Sequence, residues 1–279
     1  MTEEHNQLSL ALQSEGEKFK QCYLWLESAM PSSFFKEVSS DNLLLITHSL
    51  MGFPLQDYYS TIHLKGAALV LCLERPDADL EILKHYSQHA IKNYQTFVST
   101  SPPPFSGVKE PVRITHLLFT DAEESSNKQI SPITLEEIRS HIKGKNPQTT
   151  ELELDRLISD LSGRFLNSLS KETLAIAIEM YFRAKTRDSC QYEVRYNQDW
   201  KEKGEPSMQI VLAWKNIPKH NFLFRLARTV FRHKIVIKRA DATYVNPYGR
   251  ENILLMTLDL HGINGEAVED VADIPEFLR

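Results

Sequence analysis

The chain has 279 residues, of which 42% are apolar and 25% charged, and its net charge is −5. These values are ordinary for a globular protein, and the negative charge argues against a general nucleic-acid binder or a basic membrane-surface protein. No stretch approaches the roughly 18 apolar residues of a membrane helix, and no signal peptide opens the sequence. Cys22, Cys72 and Cys190 have no disulfide or metal spacing, which predicts free thiols in the cytoplasm.

The N-terminal region is predicted to be helical. Pro31 should end a helix near Met30, because the residue before proline is disfavoured in the helical conformation. Asp41 is placed to cap a second helix, which stops at Gly52.

A small β-rich unit follows. The segments Tyr58–Leu64 and Ala67–Glu74 predict a hairpin about Lys65-Gly66. Asp77 opens a long predicted helix that reaches Tyr94, and Val112–Phe119 reads as a further strand.

A helical connector is predicted next. Thr134 with Glu137, and Thr150 with Glu153, have the spacing of a capping box, and Ser170 is a candidate cap for a third helix.

The last third predicts strands around one helix. Gln191–Tyr196 and Met208–Trp214 read as strands, and Pro218 fits the first turn of a helix with its apolar stripe on Phe222–Val230. Ile235–Val245 and Ile253–Leu260 are the next strands. The order β, α, β, β from Met208 onward is the first two thirds of a ferredoxin-like half-sandwich.

Together these elements predict an α+β fold with two ferredoxin-like units joined by a helical connector. The expected domains are 1–120, 121–186 and 187–279. The second unit should still need a helix and a closing strand after Arg279, so we expect the chain to be a fragment of a longer protein.

Sequence motifs give little sign of catalysis. The chain has no G-x-G-x-x-G or P-loop for a nucleotide and no G-x-S-x-G elbow, so no catalytic residue is predicted. His85 and His89 stand four residues apart, which suits a shared metal or an ordinary solvated helix face. We favour the solvated face and predict no metal site.

Two sets of arginines are candidate contact residues. Arg225, Arg228 and Arg232 line one side of the predicted helix, where they fit a nucleic-acid backbone, an acidic partner or a subunit contact, although we favour a solvated face. Arg187 has the geometry for a bidentate clasp on a carboxylate, although a cation there also suits a helix terminus.

The loop after Trp214 is the strongest candidate for an effector, because it leads to a helix N-terminus with free N–H groups. Trp214 offers an apolar wall, and Asn216 offers both a donor and an acceptor. The alternative is that Asn216 and Pro218 are only turn residues.

Three segments, 25–35, 181–188 and 208–262, make the chain resemble the N-terminal region of the large NAD-dependent bacterial glutamate dehydrogenases. The resemblance covers most of the chain in the order and spacing of its segments, and its individual motifs have low specificity. It implies ACT-like modules of βαββαβ type that bind amino acids at strand–helix loops. The positions of the ligand loop are then Asn216, Ile217, Pro218, Lys219 and His220. Lys219 stands where the commoner pattern has glycine, and its side chain crowds the close backbone approach of a ligand.

The resemblance implies a parent that oxidises glutamate to 2-oxoglutarate with NAD, on a catalytic core far downstream. This chain is then a regulatory or assembly region within a cytoplasmic homo-oligomer, with no cofactor of its own and no nucleic-acid or membrane partner. Three hypotheses remain open: a sensor of an amino acid, a pure oligomerisation scaffold, and a stand-alone enzyme whose site is assembled from scattered residues.

Overall fold

The computed structural model describes residues 16–52, 59–103, 108–119, 132–145, 149–161, 163–203, 205–217, 220–245 and 252–273. The chain is α+β, as predicted, and divides into two units. The first comprises Met1–Ala78 and Gln95–Leu117, and the second comprises Asp79–Tyr94 and Leu118–Arg279. The domain boundaries predicted near 120 and 186 stay a prediction. None of the described helices is long and apolar enough to cross a membrane.

The first unit places three helices before its strands. The helices are α1 (Glu17–Ala29), α2 (Ser32–Glu37) and α3 (Ser40–Met51). The strands are β1 (Tyr59–Leu64), β2 (Ala67–Leu73), β3 (Ile91–Val98) and β4 (Val112–Phe119), in the order β1-β2-β4-β3. The first four residues of β3 and the last two of β4 belong to the second unit.

Apolar side chains from α1 to α3 pack against β2, β3 and β4. Trp25 and Phe34 are buried in this core. The helix before Pro31 ends at Ala29, as predicted. The cap of α3 is Ser39, whose Oγ accepts from the N–H of Asn42, so the assignment of Asp41 as the cap is wrong.

The hairpin prediction is confirmed: β1 and β2 pair antiparallel about Lys65-Gly66, and Gly66 has φ 71°. The prediction of one long helix from Asp77 to Tyr94 is wrong. Helix α4 (Ala78–His85) is short, a turn follows, and β3 begins at Ile91. The helical pattern depended on the polar Ser87 and the small Ala90, whereas the residues after Ala90 include the β-formers Ile91, Tyr94, Thr96 and Val98.

The second unit contains the remaining elements. Its later helices are α5 (Pro132–Lys145), α6 (Glu151–Asp160), α7 (Gly163–Ser168), α8 (Lys171–Lys185), α9 (Trp200–Lys203), α10 (Phe222–Arg232) and α11 (Val268–Val271). Its strands are β5 (Gln191–Tyr196), β6 (Met208–Lys215), β7 (Ile235–Val245) and β8 (Ile253–Gly262), followed by a 3-10 turn (Ile263–Gly265). The order is β7-β8-β6-β5, and each neighbouring pair is antiparallel.

Helix caps in the second unit are partly as predicted. Thr150 and Glu153 form a complete capping box, and the Oγ of Ser170 accepts from the N–H of Thr173. Thr134 is no cap, because α5 begins two residues before it. Helix α10 begins at Phe222, and Pro218, which was predicted to lie in its first turn, is outside the described residues.

The sheet of the second unit has helices on both faces. Helix α8 packs on the face that carries Val211, Ala213 and Leu255. Because side chains alternate along a strand, Tyr244 and Met256 belong to the opposite face, where they meet the first residues of α10. The α8 face becomes polar beyond these apolar side chains, and this polar region forms the candidate site.

Candidate ligand-binding cleft

A polar cleft of about 490 Å³ lies in the second unit, at the N-terminal end of α8. This volume is within the usual range for small-molecule sites. Its walls come from the α7–α8 connection, from strands β5 to β8 and from the segment before β6. The lining residues are Ser168, Leu169, Ser170, Glu172, Thr173, Arg195, Tyr196, Asn197, Glu205, Pro206, Gln209, Arg239, Asp241, Thr257 and Asp259.

The strand residues of the cleft form a row across the sheet. Arg195 pairs with Gln209, Gln209 with Asp259, and Asp259 with Arg239. Cross-strand partners point to the same face of a sheet, so four polar side chains from four strands lie side by side. Asp241 and its partner Thr257 begin the next row.

An irregularity in β7 lies immediately before the row, at Lys238. The pairing is Ile237 with Leu260 and then Arg239 with Asp259, so Lys238 is an extra residue. Such a bulge reverses the face on which the following side chains lie. From Arg239 to Val245 the pairing with Asp259 to Ile253 is regular, so Arg239 shares the face of Asp241, while the bulge puts Ile237 on the opposite face.

A chain of hydrogen bonds links α8 to the sheet. Arg195 Nη2 donates to Glu172 Oε2 at 3.0 Å, and its Nη1 donates to Thr173 Oγ1 at 3.4 Å. Thr173 Oγ1 donates to Gln209 Oε1 at 3.2 Å, and Gln209 Nε2 donates to Asp259 Oδ1 at 2.8 Å. Both ends of the Gln209 amide are therefore engaged, which fixes its orientation.

Asp241 is held on both sides by donors. Its exposed fraction is only 3%, its Oδ2 accepts from Arg239 Nε at 2.5 Å, and its Oδ1 accepts from Asn93 Nδ2 at 2.5 Å. Arg239 also donates to the carbonyl of Ser168 at 3.3 Å. This ion pair neutralises Asp241 and fixes one side of the cleft.

Asp259 is the charged group that the cleft leaves open. Apart from the Gln209 amide, it has no hydrogen-bond or ion-pair partner among the described residues. Burial raises the pKa of Asp259 from 3.8 to about 6, against the lowering effects of the Gln209 hydrogen bond and the nearby Arg239 charge. An ionised carboxylate held in such a place is a candidate contact for a cationic group.

The predicted effector loop lies elsewhere in this unit. Gln209 of the cleft and Lys215 near the loop are six residues apart on β6, which is about 20 Å at the usual rise of a strand. Asn216 has φ 57°, and its N–H donates to the carbonyl of Asn252 at 2.8 Å, so it makes a tight turn. Trp214 is edge-to-face with Phe222, with ring centroids 6.3 Å apart, and lies partly exposed.

The other predicted loop residues are only partly placed. His220 is exposed, and its Nδ1 lies 2.8 Å from the carbonyl of Gln88, while Pro218 and Lys219 lie outside the described residues. Arg187 is exposed and donates to Gln191 Oε1 at 3.3 Å. It is not part of the cleft lining. The role of all these residues in effector binding stays a prediction.

The predicted arginine row is present on the surface. Arg225, Arg228 and Arg232 are exposed on α10, and none forms an ion pair with a described carboxylate. The two histidines at positions 85 and 89 do not share a helix, because α4 ends at His85. The ring of His89 stacks on Phe119 with centroids 4.6 Å apart. Within the described ranges, no group of three histidine, cysteine or acidic side chains lies close enough to hold a metal ion.

Sequence reasoning missed the whole cleft. The sequence feature that could have indicated the cleft is the presence of charged residues within mostly apolar strands. Arg239 and Asp241 in β7, and Asp259 in β8, alternate with buried residues. A charged residue at such a position is uncommon unless it is paired or functional. No protein-family model matches the chain, and no curated protein matches it.

Proposed function

We propose that this chain is a non-catalytic regulatory region that binds a small amino-acid effector in the cleft. The observation that carries the proposal is the mixed charge of the lining. Asp259 stands on the sheet without an ion pair among the described residues, and Arg195 stands near the N-terminus of α8. A free amino acid carries one ammonium and one carboxylate group, so a cleft with both signs of charge offers a partner to each.

The N-terminus of α8 favours one orientation of an amino acid in the cleft. The N-terminus of α8 carries a partial positive charge, and Ser170 occupies only the N–H of Thr173. A ligand carboxylate directed toward Arg195 and α8 would leave the ammonium group directed toward Asp259.

For the parent protein we propose a large NAD-dependent glutamate dehydrogenase, with NAD bound outside this chain. The support is the resemblance of segments 25–35, 181–188 and 208–262, together with the strand orders. In β2-α4-β3-β4 and again in β6-α10-β7-β8, the last strand lies between the first two, as in a ferredoxin-like βαββ segment. Two repeated ACT-like units therefore remain our proposal for the finer fold.

The first test is a thermal-shift screen of the chain against the twenty amino acids, 2-oxoglutarate and NAD. A ligand at a hundred times its dissociation constant adds about 2.7 kcal/mol of stability, so one amino acid should raise the melting temperature while NAD should not. Arg195→Gln should reduce that shift, and Arg187→Gln, the same change outside the cleft, should preserve it. The reverse pattern would move the site to the predicted loop.

The second test uses the parent enzyme. Deleting this region should leave glutamate turnover intact and abolish the response to the effector. A deletion variant that keeps its regulation and its assembly would defeat the proposal.

The arginine row on α10 favours a second candidate function, an oligomerisation scaffold without a ligand. Arg225, Arg228 and Arg232 lack ion-pair partners in the described part of the chain, and an acidic surface of another subunit would satisfy them. Replacing Arg225 and Arg228 by glutamate should then lower the mass measured by light scattering. A flat thermal-shift screen with a loss of assembly in this variant would favour the scaffold over the sensor.

A further inference from the structure

The charges of the cleft do not balance. Its lining has two guanidinium groups, Arg195 and Arg239, against four carboxylates, Glu172, Glu205, Asp241 and Asp259, which leaves two negative charges. A ligand that completes the site should therefore bring positive charge.

Both arginines already have carboxylate partners. Arg195 is within 3.0 Å of Glu172, and Arg239 is within 2.5 Å of Asp241. A ligand carboxylate would have to compete with these ion pairs for its donors. The excess negative charge lies on the carboxylates of Asp259 and Glu205. Within the described structure these two carboxylates are hydrogen-bonded only to the neutral amides of Gln209 and Asn197.

The geometry favours an organic cation over a metal ion. The neighbouring carboxylate of Asp241 is engaged, since it accepts from Arg239 and Asn93. Gln209 presents its nitrogen, which is no metal ligand, to Asp259 Oδ1. Asp259 Oδ2 has no donor among the described residues, and an ammonium group supplies three N–H donors in a compact charge.

We infer that the cleft selects its ligand by an ammonium group bound to Asp259, and that a carboxylate on the ligand is dispensable. The ligand class is thus primary amines, including amino acids as one subset. This inference rests on the proposed function, because it assumes that the cleft is the ligand site. Burial raises the pKa of Asp259 only to about 6, so the carboxylate is ionised at pH 7.5 and able to accept from the ammonium.

The test compares three molecules of similar size by titration calorimetry with the full chain at pH 7.5. Norleucine has both groups, pentylamine lacks the carboxylate, and hexanoate lacks the amine. Norleucine and pentylamine should bind and hexanoate should not. Asp259→Asn should weaken pentylamine binding at least about tenfold, as expected for loss of a charge-assisted hydrogen bond. Arg195→Gln should not weaken it, because Arg195 contacts no amine.

Several results would overturn the inference. They are hexanoate binding without pentylamine binding, pentylamine affinity unchanged in Asp259→Asn, saturable binding of Mg²⁺ or Ca²⁺ that Asp259→Asn removes, or no binding of any of the three molecules. Asp188→Asn, the same change at an exposed position, controls for non-specific attraction of amines. If hexanoate binds and Arg195→Gln abolishes its binding, the inference fails while the cleft remains the ligand site. If nothing in the amino-acid screen binds either, the proposed function fails as well.

Discussion

Replacing Asp259 by asparagine should stabilise the fold. The pKa of Asp259 is about 6 in the folded chain against 3.8 as the ordinary value, so ionisation of this group opposes folding. Two pKa units, at 1.36 kcal/mol each, correspond to about 3 kcal/mol. Asparagine has nearly the same shape, keeps an oxygen for the Gln209 N–H, and carries no charge to be desolvated.

The sign of the pH dependence follows from the same shift. Since the folded pKa lies above the unfolded one, the folded chain binds the additional proton between about pH 4 and pH 6. The loss of folding stability caused by the ionised Asp259 carboxylate is therefore absent below this pH window and complete above it. The gain from Asp259→Asn should therefore be small at pH 4 and approach about 3 kcal/mol at pH 7.5.

The assay is urea unfolding of both proteins at a series of pH values, with the difference in free energy plotted against pH. The difference is needed because His261 titrates oppositely in this window. Burial lowers the pKa of His261 from 6.5 to about 4, so its contribution to stability is lost as the pH falls through that range.

Two variants serve as controls for this prediction. Asp188→Asn, at an exposed position, should give a flat difference curve. Asp241→Asn should destabilise by about 2 kcal/mol or more, because it removes the charge that holds Arg239 and Asn93. A difference for Asp259→Asn that is unfavourable at pH 7.5, or equal at pH 4 and pH 7.5, would refute the reasoning.

Three further variants test other contacts. Thr150→Ala should cost about 1 kcal/mol in urea unfolding, because it removes the side chain that accepts from the Glu153 N–H, and a cost near zero would speak against the capping box. Arg113→Ala should cost about 3–5 kcal/mol, because it leaves Glu74 without the two donors that hold its carboxylate, and a loss under about 1 kcal/mol would contradict this. His261→Phe should flatten the loss of stability between pH 6.5 and pH 4, and an unchanged slope would show that another group causes it.

The sequence predicted strands β6 and β8 well because each is mostly apolar and bounded by turn residues, and it predicted β5 from the alternation of Tyr192, Val194 and Tyr196 with polar residues. Strand β3 was missed because Lys92 and Asn93 interrupt its apolar character, so a helical period fitted equally well. The capping box at Thr150 was predictable because both partners lie within four residues. The cap of α3 was assigned to Asp41 rather than Ser39 because both residue types are good caps and lie close together.

Predicting the cleft from the sequence requires information that no local residue pattern contains. Its row requires that Gln209, Asp259 and Arg239 be aligned across three strands, which is a matter of strand register. The extra residue Lys238 puts Ile237 on the opposite face from Arg239, which strict alternation along β7 does not predict. Charged residues within β7 and β8 were visible in the sequence, but their meeting was not.

Polar residues inside a sheet do not by themselves indicate a ligand site, and the first unit shows the difference. Arg113 on β4 is 2% exposed. Its Nε and Nη2 donate to the two carboxylate oxygens of Glu74, and its Nη1 donates to Thr96 Oγ1. Those charges cancel, and the contacts stabilise the sheet. In the second unit, Asp259 forms no ion pair with any described residue, and it lines a cleft large enough for a small molecule. A partly buried charge that opposes folding and forms no ion pair in the described part of the chain is best explained by a partner that arrives from solution.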